Sequence, residues 1–77
     1  MDNITKFLLR LSQKERNIVL EIIKKILSGD HNGLDIKKLQ GKKYLYRVRK
    51  GKIRIIYSNE NGNYNIHDIN FRNSIYN

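Results

Sequence analysis

The hydrophobic period changes once along this chain, and that change decides what it can fold into. Up to about residue 28 apolar side chains recur every third or fourth position, whereas from Tyr44 onward they alternate with polar or charged ones. The first spacing lays one stripe along a helix and the second paints one face of a strand. A polar join at Ser28-Gly29-Asp30-His31-Asn32-Gly33 separates them. Helices in one block followed by strands in another predict an α+β fold: an N-terminal helical hairpin packed on a small antiparallel β-meander of three to four strands. With 77 residues there is room for one core, so residues 1–77 are read as one domain, helical over about 3–28 and sheet over about 43–77.

The helical half carries its own start and stop signals. Ser12-Gln13-Lys14-Glu15 has the S-x-x-E spacing of a capping box, in which hydroxyl and carboxylate each satisfy a free backbone donor. From about Gln13, Ile18, Val19, Ile22, Ile23, Ile26 and Leu27 fall on one helix face, and Gly29 stands where a left-handed C-terminal cap is wanted. Ile4, Phe7, Leu8 and Leu11 predict a shorter helix from about Asn3, joined to the capped one by a tight corner.

In the second half, Lys50-Gly51 lies between two runs rich in Tyr, Val, Ile and Arg and reads as a two-residue hairpin loop. Counting outward pairs Arg49 with Lys52, Arg47 with Arg54 and Leu45 with Ile56 on one face. Val48–Ile53, Tyr46–Ile55 and Tyr44–Tyr57 then pair on the other. One face is a core, to which the three tyrosines belong, and the other is mostly positive. A second turn within Asn59–Asn63 leads to a third strand whose Tyr64 and Ile66 alternate with polar residues, His67 pointing away from them.

Charge narrows the functional classes. The chain has 16 Lys+Arg against 7 Asp+Glu, a net charge of +9, and nine of those cations with no acid lie between residues 36 and 59. Like charges placed opposite one another across a hairpin destabilise it, so stability alone does not select Arg47 against Arg54. A guanidinium presents a planar fork of donors that fits phosphate oxygens, so clustered arginines point to a phosphate-bearing partner. The absence of cysteine excludes disulfide scaffolds and thiol catalysis, and with two histidines, His31 in the polar join and His67, no metal site or cofactor is expected. No apolar run is long enough for a membrane span or a secretory signal, which leaves the cytoplasm as the expected location and no membrane partner.

Three segments together resemble the RelE/ParE toxin superfamily of type II toxin–antitoxin systems. They are Leu39-Gln40-Gly41, the hairpin Leu45-Tyr46-Arg47-Val48-Arg49-Lys50-Gly51-Lys52-Ile53-Arg54-Ile55-Ile56-Tyr57, and Ile69-Asn70-Phe71-Arg72-Asn73-Ser74-Ile75-Tyr76. The resemblance covers roughly residues 34 to 77, and the helices fit it only as an amphipathic preface. It implies a RelE-like mRNA interferase, a toxin that cuts mRNA on the ribosome without a metal and inhibits translation. Carried over by motif, Arg47 and Arg49 contact and polarise the phosphate, Arg54 stabilises charge on it, and Arg72 and Tyr76 complete the site. Lys42, Lys43, Lys50 and Lys52 are read as RNA-binding and steering charges. The implied partners are a cognate antitoxin protein, mRNA and the ribosome, with a higher-order toxin–antitoxin complex.

The implied reaction is endoribonucleolytic: attack of a ribose 2′-OH on the adjacent phosphate, giving a 2′,3′-cyclic phosphate and a 5′-OH. Only RNA supplies that nucleophile. Arginine stays protonated and cannot take its proton. Many relatives carry a titratable group beside the C-terminal arginine where this chain has Phe71. The alternative is therefore a ParE-like gyrase inhibitor or a catalytically degenerate RelE-fold protein that binds an antitoxin, and a plain nucleic-acid-binding domain is a third reading. Relatives also begin with a strand ahead of the first helix. Met1-Asp2-Asn3 leaves no room for one, so an open sheet edge is expected there, where an antitoxin segment would fit.

Overall fold

The computed structural model describes residues 2–71. Helix α1 runs Asn3–Arg10, capped by Asp2, whose Oδ1 accepts from the Thr5 N–H at 2.7 Å. That backbone hydrogen bond favours the ionised carboxyl and holds Asp2 below the usual aspartate range. Helix α2 runs Gln13–Ser28 and starts with the expected capping box: the Glu15 N–H donates to Ser12 Oγ at 3.1 Å and the Ser12 N–H to Glu15 Oε1 at 3.2 Å. Between them the corner is held by Arg16, whose Nε donates to the Leu8 carbonyl and Nη2 to the Leu11 carbonyl, both at 2.9 Å. Both carbonyls lie at the C-terminal end of α1, and the Leu8 oxygen also accepts from the Leu11 N–H at 3.2 Å. Gly29, at φ 81°, closes α2. Its N–H donates to Ile26 O and that of Asp30 to Lys25 O, a Schellman closure that favours glycine at the left-handed residue.

Four strands follow in chain order, each antiparallel to the next: β1 Asp35–Lys38, β2 Leu45–Lys50, β3 Ile53–Glu60 and β4 Asn63–Phe71. The α+β fold class read from the change of period is the one observed. The sheet nonetheless begins earlier than Tyr44. Strand β1 lies along the outer side of β2, with Ile36 opposite Val48.

The hairpin loop is Gly51-Lys52, not Lys50-Gly51. Lys50 pairs with Ile53, and Gly51 takes φ 56° at the first loop position, which suits a glycine-led two-residue turn. Each β2 residue therefore meets a partner two positions further along than the counted register: Val48 faces Ile55, Tyr46 faces Tyr57, Arg49 faces Arg54 and Arg47 faces Ile56. A shift of two preserves every side chain's face, where a shift of one would have inverted them all. The next loop is Asn61-Gly62, with φ 55° and 86°, the double left-handed geometry of a type I′ turn. Asn59 Oδ1 braces it by accepting from the Gly62 N–H at 2.9 Å.

The helices cover one face of the sheet. Phe7, Leu11, Val19, Ile22 and Ile26 meet Val48, Ile53, Ile55, Tyr57 and Ile69 in a single buried cluster. Ile18 and Leu27, assigned to the same helix face by periodicity, are exposed. Tyr46 stacks on Tyr57 at 5.5 Å between ring centres, and His31 lies edge-on to Tyr64 at 5.6 Å. Tyr44, expected in this group, is exposed instead, because Tyr46 rather than Tyr44 faces Tyr57. Burial pushes the Tyr57 hydroxyl pKa up, with smaller contributions from Tyr46 and Tyr64. Among the described residues no helix is long and apolar enough to cross a membrane.

Candidate functional site

The face of the sheet turned away from the helices is organised as two rungs. The register carries one across Asp35, Arg49, Arg54 and Asn70, and the next across Lys37, Arg47, Ile56 and Asp68. With strands about 4.8 Å apart and same-face residues roughly 6.7 Å apart along each strand, the patch is about 14 Å by 7 Å. It holds four cations and two carboxylates. Arg47, Arg49 and Arg54 share it as the counted alternation requires. The direct opposition is Arg49 against Arg54, however, and Arg47 faces Ile56 instead.

Among the described residues little neutralises these arginines. Arg49 Nε stands 3.8 Å from Asp35 Oδ2, inside ion-pair range but too long for a hydrogen bond. The side chains of Arg47 and Arg54 make no hydrogen bond or ion pair among the described residues. The Nε atoms of Arg49 and Arg54 are both shut off from solvent without a hydrogen-bond partner. Buried donors usually find acceptors, so two guanidinium stems held side by side with that requirement unmet are not explained by stability. A guanidinium pair so arranged can bind an anion, and a phosphate above the sheet would meet donors from two strands at once.

The remaining sequence candidates are dispersed. Lys42 and Lys43 are exposed in the loop between β1 and β2. Lys52, expected opposite Arg49 on the positive face, belongs to the hairpin loop. Lys50 shares the helix-side face with Tyr46 and Val48 and lines a groove with Ile18, Glu21 and Leu34, so it does not join the arginine patch. Arg72 and Tyr76 lie outside the described residues. Phe71 does not border the arginine face at all. Its ring packs on Phe7 of α1 at 5.0 Å, which explains in packing terms why an apolar residue stands there.

Sequence reasoning missed four members of the patch: Asp35, Lys37, Asp68 and Asn70. The first two were hidden by overlooking β1, although Leu34 and Ile36 already alternate with polar neighbours. The last two depend on an irregularity in β4. Ile56 pairs with Asp68 but Tyr57 with Ile66, leaving His67 as an extra, bulged residue. His67 is exposed. The signal was present as a break in phase, since Tyr64 and Ile66 are followed by Ile69 and Phe71 rather than by apolar residues at 68 and 70. No group of three or more His, Cys, Asp or Glu able to hold a metal occurs among the described residues.

No family model and no curated protein matches the sequence. Among solved structures, the chain is similar to one in the crystal structure of the RelB–RelE antitoxin–toxin complex from Methanococcus jannaschii. The two are 27% identical with a TM-score of 0.78, over 94% of this chain and 87% of that one. Coverage of nearly the whole of both chains means that the likeness includes the helices as well as the arginine-bearing strands.

Proposed function

We propose that this protein is the toxin of a type II toxin–antitoxin pair and that its arginine face cleaves RNA. The observation that carries the reading is the juxtaposition of Arg49 and Arg54 on adjacent strands, with Arg47 on the same face and almost no neutralising contact. The similarity to a chain of an antitoxin–toxin complex supports the general class, and the hairpin motif supports the toxin role within it. Here the arginines bind the scissile phosphate and stabilise the charge that develops as the 2′-oxygen attacks. Preorganised donors of this kind are each worth on the order of 10²–10³ in rate in other enzymes. Lys42, Lys43 and Lys52 draw in the polyanion from outside the patch in a salt-dependent way. Arg72 and Tyr76 contribute from beyond β4. The antitoxin is the protein partner, and translated mRNA on the ribosome is the substrate.

Expression without an antitoxin, with primer-extension mapping of mRNA ends, tests the reading. Growth arrest with new ends inside translated codons, abolished by Arg54→Ala, is the expected result. Arrest with intact mRNA and DNA-damage signalling would replace it with gyrase inhibition. The inward-facing Phe71 favours a second reading, a fold that binds antitoxin without cutting RNA, and absence of arrest would establish that one instead.

A further inference from the structure

The β-bulge in β4 does more than relieve packing. Were β4 regular, the alternation that turns Tyr64 and Ile66 toward the helices would also turn Asp68 and Asn70 inward, and Ile69 and Phe71 would face solvent. The extra residue His67 resets that phase. Ile69 and Phe71 then join the core, while Asp68 comes to stand beside Ile56 and Asn70 beside Arg54. Bulges are over-represented next to active sites because they re-aim side chains in this way.

Asp68 is held in place. Asn70 Nδ2 donates to Asp68 Oδ2 at 2.7 Å, and only the amide nitrogen can approach a carboxylate so closely. Asn70 Oδ1, shut off from solvent, has no partner. Asp68 Oδ1 makes no hydrogen bond, and Asp68 forms no ion pair among the described residues. The other carboxylate of the patch, Asp35, stands against Arg49. Facing Asp68 are Arg54 on the diagonal of the neighbouring strand, Arg47 further along its own rung and His67 beside it. Diagonal neighbours lie about 7–8 Å apart, which leaves room for a ribose phosphate between carboxylate and guanidinium.

We propose that Asp68 is the proton acceptor of the RNA cleavage assigned above, with Asn70 as its positioning residue; the inference rests on that assignment. Asp68 Oδ1 takes the proton of the 2′-OH as the 2′-oxygen bonds to the adjacent phosphorus. The bond from phosphorus to the 5′-oxygen breaks, and the departing oxygen takes a proton from water. The products are a 2′,3′-cyclic phosphate and a 5′-OH, and Asp68 returns its proton to solvent. This fills the role that arginine cannot and that Phe71 leaves vacant. His67 is the weaker candidate, because no hydrogen bond among the described residues orients it.

The test uses the full chain, translating ribosomes and a defined mRNA, and compares wild type with Asp68→Asn, Asn70→Ala, His67→Gln and Arg54→Ala. General-base assistance contributes typically 10²–10⁴-fold. Asp68→Asn should therefore slow cleavage by about that factor while ribosome co-sedimentation and circular dichroism stay unchanged. Its residual rate should climb about tenfold per pH unit, as attack then depends on hydroxide, more steeply than in wild type. Asn70→Ala should lose less and show an intermediate slope. Asp68→Asn cutting at the wild-type rate with the wild-type pH profile would overturn the inference and leave the nuclease reading standing. The same holds if only His67→Gln loses activity. A wild-type protein that cuts no better than Arg54→Ala would overturn both.

Discussion

Replacing Arg54 by glutamine should stabilise the protein while abolishing its activity. Arg49 and Arg54 are direct cross-strand partners, and opposed like charges cost an amount on the order of 0.2–1 kcal/mol. Glutamine keeps much of the stem and removes the charge. For a domain of this size each kcal/mol moves the midpoint by about 4–8 °C, so the expected gain is roughly 1–8 °C. Arg49→Gln should gain less, because it also gives up the Asp35 contact at 3.8 Å. The origin is electrostatic, and the Debye length falls from about 10 Å at 0.1 M salt to about 3 Å at 1 M. The gain should therefore shrink in high salt. Thermal unfolding followed by circular dichroism at both ionic strengths decides the matter. A variant no more stable than wild type in low salt, or one whose gain ignores salt, would show that the pair is not frustrated.

Three further outcomes follow from other parts of the fold. Ser12→Ala removes the capping box and should cost about 0.5–2 kcal/mol, read as a lower denaturation midpoint with an unchanged denaturant slope. Deleting His67, the extra residue of the bulge, leaves a plainly alternating β4 in which Ile69 and Phe71 keep their core-facing positions and Asp68 and Asn70 theirs beside the arginines. The deletion variant should keep the wild-type circular dichroism spectrum, and an unfolded one would contradict the reading of His67 as the extra residue. The raised Tyr57 pKa means that the folded state holds that proton more tightly than the unfolded chain. Its contribution is intact below about pH 10 and is lost as pH rises above it. Tyr57→Phe should flatten the alkaline fall in urea midpoint, and an unchanged fall would refute the assignment.

The helical half was readable almost residue by residue, because its signals are local. Ser12 and Glu15 are three residues apart, and Gly29 closes the helix against carbonyls of the preceding turn. Strand faces were readable for a related reason: alternation is fixed within each strand, and both the counted and the observed hairpin have a two-residue loop, so Arg47, Arg49 and Arg54 share a face in either. What alternation does not supply is the partner. Gly51 at φ 56° moved the loop by one residue, and that replaced Arg47 by Arg49 as the neighbour of Arg54. Strand β1 escaped because four residues with one half-buried isoleucine carry almost no periodic signal. Asp68 and Asn70 escaped because a bulge is a tertiary compromise, settled by what Ile69 and Phe71 find across the core.

The order in which the core closes has a consequence for synthesis. Each strand pairs with its immediate predecessor, so the meander can form piece by piece as residues leave the ribosome. The helices are different: although made first, they both pack on β4, the last of the described strands. Until residues 63–71 have emerged, α1 and α2 lack a principal part of their apolar seat, and the arginine hairpin is displayed on a sheet without its full backing. A nascent chain stopped short of β4 would carry the three arginines but not the rigidity to aim them. Assembly of the arginine patch is thereby tied to the emergence of β4.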